Sequence, residues 1–323
     1  MNIGIIGAGH IAAKMSRTIE KMTGVCRYAV ASRDLQKARD FAAEYGFEAA
    51  YGSYEELCRD PKVDLVYVAT PHSHHFAHVK MCIEHSKPVL CEKSFTANAD
   101  EAQELMRLSR ERKVFLAEAM WTRYMPFSRT IKETLESGII GKPEVLSANL
   151  GYSIEWKERI VKPELCGGAL LDLGVYCINF ADICFGLDIT EIKSCCVKND
   201  LGVDMQETIS FVYRDGRIAN LCASARCATD RQGIISGSEG FMIVDNINNP
   251  QNLSVYDKHS TLLKKTSAPP CISGYEYEVY ACKDALEKGL SQSPYFPLER
   301  SVLIMDLMDS LRKEWGVRFP MDR

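Results

Sequence analysis

The sequence predicts an α/β protein of two domains, a doubly wound parallel sheet over residues 1–120 and a second α/β domain, 121–323, rich in antiparallel strands. Strand-like and helix-like periodicities alternate through the first 120 residues, which is the pattern of β-α-β units. After Met120 the rhythm changes to longer alternating segments. A chain of 323 residues with 46% hydrophobic content can fill two cores.

Residues 2–6 read as an apolar strand, after which Ile11, Met15, Ile19 and Met22 recur at helical spacing. RYAVA (27–31) is the second strand, and DLQKARDFAAEY (34–45) is a helix that Gly46 can end. DLVYVAT (64–70) is nearly all apolar, as expected of a strand covered on both faces. Residues 74–86 form a helix, 88–91 a strand, 98–112 a helix and 114–119 the last strand of the series. Beyond it come a helix at 126–137, a strand at 145–153 and a helix at 169–185 closed by Gly186. ETISFVY (207–213) and RIANLCASA (217–225) flank Asp215-Gly216, a hairpin signal, and 241–245 and 253–257 continue the alternation. The segments 275–289 and 298–313 are helical, and the last of them can pack back on the first domain.

A net charge of −4 gives no electrostatic basis for binding nucleic acid or an anionic membrane. No apolar run approaches the ~18 residues of a spanning helix, and the chain opens on a strand rather than a charged leader. The expectation is a cytoplasmic protein. Thirteen cysteines without C-x-x-C spacing argue against a disulfide framework or zinc site, and most are expected to be small buried hydrophobes.

In IGIIGAGHIA the residues Gly7 and Gly9, followed by His10 and Ile11, lie between a strand and a helix. Glycines there permit a tight turn and let the backbone approach a pyrophosphate resting on the helix N-terminus. At the end of the second strand, where an NAD site places an acid on the ribose hydroxyls, stand Ser32 and Arg33. A hydroxyl and a guanidinium can hold a 2′-phosphate that an acid would repel. The predicted cofactor is therefore NADP(H) in preference to NAD(H), with Asp34 as a counter-indication.

The segment TPHSHHFAHVK follows the strand at 64–70 and holds four histidines without metal-ligand spacing, so no metal is expected. Thr70, Pro71, His72 and His75 are assigned to the cofactor lining, and His74 and His78 to the surface. PVLCEKSFTAN ends an apolar strand on Glu92 and Lys93, at the edge where ligands of open α/β sheets bind. In CGGALLDLGVYCINF, Asp172 and Tyr176 are four apart and would share one face of a helix. Reducing a carbonyl needs a proton as well as a hydride. A tyrosine can supply it near neutral pH when a cation such as Lys93 lowers its reference pKa of about 10. In this scheme Asp172 holds a substrate hydroxyl or the lysine.

These segments together resemble the Gfo/Idh/MocA oxidoreductases over nearly the whole chain: GIIGAGHIA, ASRDLQKA, VATPHSHH, VLCEKSFTAN and GGALLDLGVYCINF occur in that family's order. AEAMWTRYMP and DLGVYCI look most like the branch of dimeric dihydrodiol dehydrogenases and glucose-fructose oxidoreductase. The resemblance implies an N-terminal Rossmann domain and a C-terminal domain with a large, mainly antiparallel open sheet that often forms a dimer interface. It implies that Lys93 is the catalytic lysine of the Glu-Lys-Pro motif, with Ser94 here in place of proline and Glu92 beside the cofactor. It places Tyr176 as proton donor, and Trp121 and Arg123 in the pocket. His72 stands where the family often has Asn.

The function so read is hydride transfer between NADP(H) and a carbonyl or alcohol of a sugar, polyol or cyclic dihydrodiol, by a homodimer or higher homo-oligomer. The alternatives are a non-catalytic dinucleotide-binding regulator and an NAD-dependent glycosidase of the same family.

Overall fold

The computed structural model describes residues 1–322. Its first eleven elements are β1 (Asn2–Ile6), α1 (His10–Glu20), β2 (Cys26–Ala31), α2 (Leu35–Tyr45), β3 (Ala49–Tyr51), α3 (Tyr54–Arg59), β4 (Leu65–Val68), α4 (His72–Glu84), β5 (Val89–Glu92), α5 (Ala99–Arg112) and β6 (Leu116–Ala119). The six strands form one parallel sheet in the order β3-β2-β1-β4-β5-β6. All four residues of β4, of β5 and of β6 are buried, which fits their largely apolar character, interrupted by Glu92 in β5 and Glu118 in β6. Each fully buried aliphatic chain of this kind contributes about 1.5–3 kcal/mol.

Helix ends follow local chemistry. Asp34 caps α2 by accepting from the backbone N–H of Gln36 and Lys37, and Gly46 closes the helix in the left-handed region at φ 71°. The pair β3 and α3 was not foreseen, although Ser53 and Glu56 form a complete capping box at the start of α3.

The second series comprises α6 (Pro126–Glu136), β7 (Pro143–Gly151), α7 (Glu158–Val161), a π-helical segment Leu170–Gly174, and α8 (Val175–Phe185). It continues with β8 (Ile189–Lys198), β9 (Asp204–Tyr213), β10 (Ile218–Ser224), β11 (Gly233–Gly237), β12 (Gly240–Val244), β13 (Asn252–Asp257), β14 (Leu262–Ser267), α9 (Glu276–Glu287) and α10 (Leu298–Trp315). Its eight strands run β14-β13-β12-β11-β7-β10-β9-β8, antiparallel except for β7 beside β10. The β9–β10 hairpin turns at Asp215-Gly216 as expected, whereas β8, β11 and β14 carried no signal strong enough to be assigned.

Compactness groups the chain in pieces. Met1–Tyr124 and Cys271–Asp306, with Met321 and Asp322, make one unit; Met125–Pro270 and Leu307–Pro320 make the other. The segment bearing α9 and the first half of α10 thus returns to the unit that holds the parallel sheet.

Two expectations are corrected. The helical stretch Pro163–Phe185 is 23 residues long and apolar enough on average to match a membrane span, contrary to the expectation of no such run. In this structure 89% of its apolar window is buried inside the protein, so internal packing accounts for its composition. The cysteines are less buried than expected: Cys58, Cys82, Cys91, Cys166, Cys177 and Cys282 are buried, the other seven partly or fully exposed.

Candidate functional site

Parallel strands bring their carboxyl ends to one edge, and five of the predicted segments meet there. After β1, Gly7 has φ 103°, and a Cβ on it would lie 2.8 Å from the Ala69 carbonyl oxygen. Glycine is thus required for both conformation and space. Gly9 caps α1 without a side-chain hydrogen bond, a Cβ on it would meet nothing within 4 Å, and the first turn from His10 and Ile11 has no acid. An uncapped helix N-terminus facing open space fits a pyrophosphate.

After β2, Ser32 is buried and its hydroxyl accepts from the backbone N–H of Asp34 at 3.3 Å. Arg33 is exposed and lies against the Tyr54 hydroxyl. Asp34 accepts from Gln36 and Lys37 at 2.9 and 3.2 Å, so the neighbouring acid is engaged as a helix cap. Its Oδ1 is thus turned to the first turn of α2, while Arg33 beside it is exposed.

After β4, Thr70 leads to Pro71, the N-cap of α4. His72 and His75 are both buried, with rings 5.7 Å apart. His75 reaches the Ser94 carbonyl through Nδ1 at 2.9 Å and the Thr70 carbonyl through Nε2 at 2.8 Å. Burial lowers its pKa against these backbone hydrogen bonds. Both partners are acceptors, so the neutral ring donates to one of them while lying between the chain ends that follow β4 and β5. His74 and His78 are half-buried rather than simply superficial, because Tyr54 from α3 packs edge-on against His78 at 4.6 Å.

After β5, Glu92 is buried, accepts from the Lys93 backbone N–H at 3.2 Å, and receives a hydrogen bond from the Tyr67 hydroxyl of β4. The Lys93–Ser94 peptide bond is cis. Glu278 from α9 is fully buried, and among the described residues neither of its carboxyl oxygens has a hydrogen-bond partner. Burial first, then Glu92 and Glu276, push its pKa far up. Lys14 of α1 is drawn toward Glu92 electrostatically, while burial lowers its pKa.

After β6, Trp121 stacks on Tyr275 at 4.4 Å and 14°, and the Lys14 ammonium sits 4.4 Å from the Tyr275 ring centroid. Arg123 lies over Phe296 at 4.9 Å. Glu118 within β6 is pushed up to about 7 by burial, against the pull of Ser301, Arg123 and Lys93. Lys14, Tyr275 and Glu278 had no sequence signal, because their partners are distant in the chain.

In the second unit, Asp172 lies in the π-helical segment and α8 begins only at Val175. Asp172 and Tyr176 thus lie on successive turns of one helical stretch, the first in its π-helical part and the second in its α-helical part. Asp172 is buried and accepts from Arg159 of α7 through both oxygens, at 2.8 and 3.2 Å. Tyr176 is buried at the second position of α8. Asp204 of β9 accepts from the Leu170 backbone N–H at 2.7 Å and so anchors the start of the segment. Gly168, at φ 119°, has no room for a side chain: a Cβ would lie 2.4 Å from an Asp204 oxygen.

Among the described residues no group of three or more His, Cys, Asp and Glu side chains is arranged to hold a metal. A cleft of about 640 Å³ beside β3, lined by Leu35, Arg39, Tyr51 and Arg59, includes none of the predicted site residues.

Residues 1–120 match the family described as an oxidoreductase family with an NAD-binding Rossmann fold, and 128–243 match the GFO/IDH/MocA C-terminal domain. The trans-1,2-dihydrobenzene-1,2-diol dehydrogenases of Macaca fuscata fuscata and Homo sapiens are 34% and 33% identical, each over 99% of this chain and 98% of their own. A 3-ketoreductase from Actinomadura kijaniata, in complex with NADP and TDP-benzene, superposes with a TM-score of 0.88 at 24% identity, covering 99% of this chain and 98% of its own. A levoglucosan dehydrogenase in complex with NADH gives 0.86 at 17%, over 98% and 97%. These two likenesses are of fold, and the fold accommodates either dinucleotide.

Proposed function

The chain belongs to the GFO/IDH/MocA oxidoreductase family, and from that premise we propose that it is an NADP(H)-dependent dehydrogenase or reductase. Its substrate is a carbonyl or alcohol of a cyclic dihydrodiol, sugar or polyol, and of these the dihydrodiol is what the names of its diol dehydrogenase relatives carry. The observation that carries this reading is the end of β5, where Lys93 follows a buried, hydrogen-bonded Glu92 on the edge that holds the glycine turn.

Bound there, the nicotinamide dinucleotide supplies or accepts the hydride. The chain's own groups handle everything else. Gly7, Gly9, His10 and Ile11 bind the pyrophosphate through backbone amides, Ser32 and Arg33 hold the 2′-phosphate, and Thr70, Pro71, His72, His75 and Glu92 shape the remaining cofactor wall. Lys93 stabilises negative charge on the substrate oxygen and Tyr176 gives or takes its proton. Asp172, held by Arg159, positions the substrate through that guanidinium as well as directly, and Trp121 and Arg123 line the pocket. Residues 1–120 serve the cofactor and 121–323 the substrate. A cytoplasmic homodimer built on the eight-stranded sheet completes the proposal.

The test is a fluorescence titration of cofactor-free protein with NADPH and NADH, followed by a panel of dihydrodiols, sugars and ketoses. Tighter NADPH binding with consumption on one member of the panel is the expected result. Binding without consumption would favour a regulator, tighter NADH binding would refute the assignment of Ser32 and Arg33, and release of a glycoside leaving group without net redox would favour a glycosidase.

A further inference from the structure

The histidines of TPHSHHFAHVK are not all accounted for by the reaction. His74 and His78 are one turn apart on α4 with rings 5.7 Å apart. Each engages its Nδ1 with a hydroxyl: His74 with Ser73 at 2.8 Å, His78 with Thr70 at 3.0 Å. Whichever nitrogen carries the hydrogen of the neutral ring, each ring can gain one further proton, after which both of its nitrogens are donors. Arg33, from the loop after β2, hydrogen-bonds the Tyr54 hydroxyl and acts electrostatically on both rings, and Tyr54 from α3 packs edge-on against His78.

The groups that act on the pair come from four elements: Arg33 after β2, Tyr54 on α3, Thr70 after β4, and His75 with Ser73 on α4. None is a carboxylate, and Asp34 is engaged as the cap of α2. Burial and then Arg33 hold His74 below the usual histidine range. Burial, His74, His75 and Arg33 take His78 down to about 4. Both rings are therefore neutral at pH 7 in the cofactor-free protein. A dianion placed against this cluster reverses the balance, because an opposite charge favours the protonated ring where a like charge had disfavoured it.

We propose that His74 and His78 join Arg33 in a pocket for the cofactor 2′-phosphate that takes up a proton as the phosphate enters, so that NADPH binding is proton-linked and NADH binding is not. The inference rests on the NADP(H) reading above and adds to it two specificity residues and a pH dependence. The linkage has a definite sign: bound NADPH raises the histidine pKa, so its advantage over NADH is largest on the acid side and shrinks as pH rises through the bound-state value.

The experiment is isothermal calorimetry of NADPH and of NADH at pH 7.5, in buffers of different ionisation enthalpy. A phosphate monoester with a second pKa of about 6 is already a dianion there, so it neither supplies nor takes the proton. The expected result is uptake of a substantial fraction of one proton with NADPH and none with NADH. The H74N/H78N double variant should lose that uptake and bind NADPH about three- to tenfold more weakly, with NADH affinity within about twofold of wild type. Tighter NADPH binding with no uptake, equal uptake for both cofactors, or uptake that survives in H74N/H78N would each overturn the proposal while leaving the NADP(H) reading intact. NADH binding as tightly as NADPH to the wild type would refute that reading itself.

Discussion

The carboxyl edge of the parallel sheet and the π-helical segment Leu170–Gly174 both carry proposed catalytic groups, yet they are positioned by different means. At the sheet edge the backbone does most of the work: a strand ends, Gly7 turns at φ 103°, an uncapped helix begins, and Lys93 follows the last residue of β5. At the π-helical segment side chains remote in sequence set the geometry, Asp204 from β9 holding Leu170 and Arg159 from α7 holding Asp172. The first arrangement is encoded over a few residues. The second exists only once β9 and α7 are in place.

The strongest way to break this comparison is at Lys93. Lys93→Met removes the proposed charge on the substrate oxygen without touching the backbone, so kcat should fall by about a thousandfold or more while the NADPH dissociation constant changes by less than about threefold. Stopped-flow single turnovers would check it. Turnover near wild type would remove the sheet edge from the chemistry.

A buried acid sharpens the contrast next. Glu118 has its pKa raised from 4.5 to about 7, burial being the main cause. A carboxyl raised in the folded state is protonated more readily there than in the unfolded chain. Its contribution is thus present below about pH 4.5 and is lost as pH rises toward 7. At about 1.36 kcal/mol per pH unit the loss is of order 3 kcal/mol, and Glu118→Gln should abolish it. Urea denaturation of both proteins at pH 5 and pH 8 gives the difference, and parallel pH dependences would contradict the assignment.

At the π-helical segment, Asp172→Asn keeps the shape but removes the charge that holds Arg159. We expect kcat/KM to drop by about tenfold to a hundredfold, the scale of a charge-assisted pair, with cofactor affinity unchanged. If the variant instead lost cofactor affinity and kept kcat/KM per bound cofactor, the division between the two regions would be wrong.

The smallest effect belongs to α3. Ser53→Ala removes one half of a capping box, costing about 1 kcal/mol of stability. Thermal unfolding would register it, and steady-state kinetics at 25 °C should not.

Much was legible in advance wherever a short-range rule applies. Burial on both faces makes a parallel strand apolar, so β1, β4 and β5 stood out, and Asp34 and Gly46 marked the ends of α2. The order Gly7, Gly9, Ser32, Arg33, Glu92, Lys93 followed the strand ends that carry them. The capping box at Ser53 is equally local, but α3 is only six residues long and shows little periodicity. What required the tertiary structure is of another kind. The stack of Trp121 on Tyr275 with Lys14, the buried Glu278 under the influence of Glu92, and the hold of Arg159 on Asp172 join residues separated by anything from 13 to more than 250 positions. By itself the sequence determined the periodicities, turns and caps, because these depend on backbone sterics and nearest neighbours. Folding alone decided which charges are buried together, because desolvation and Coulomb energy depend on distance in space and not on distance along the chain.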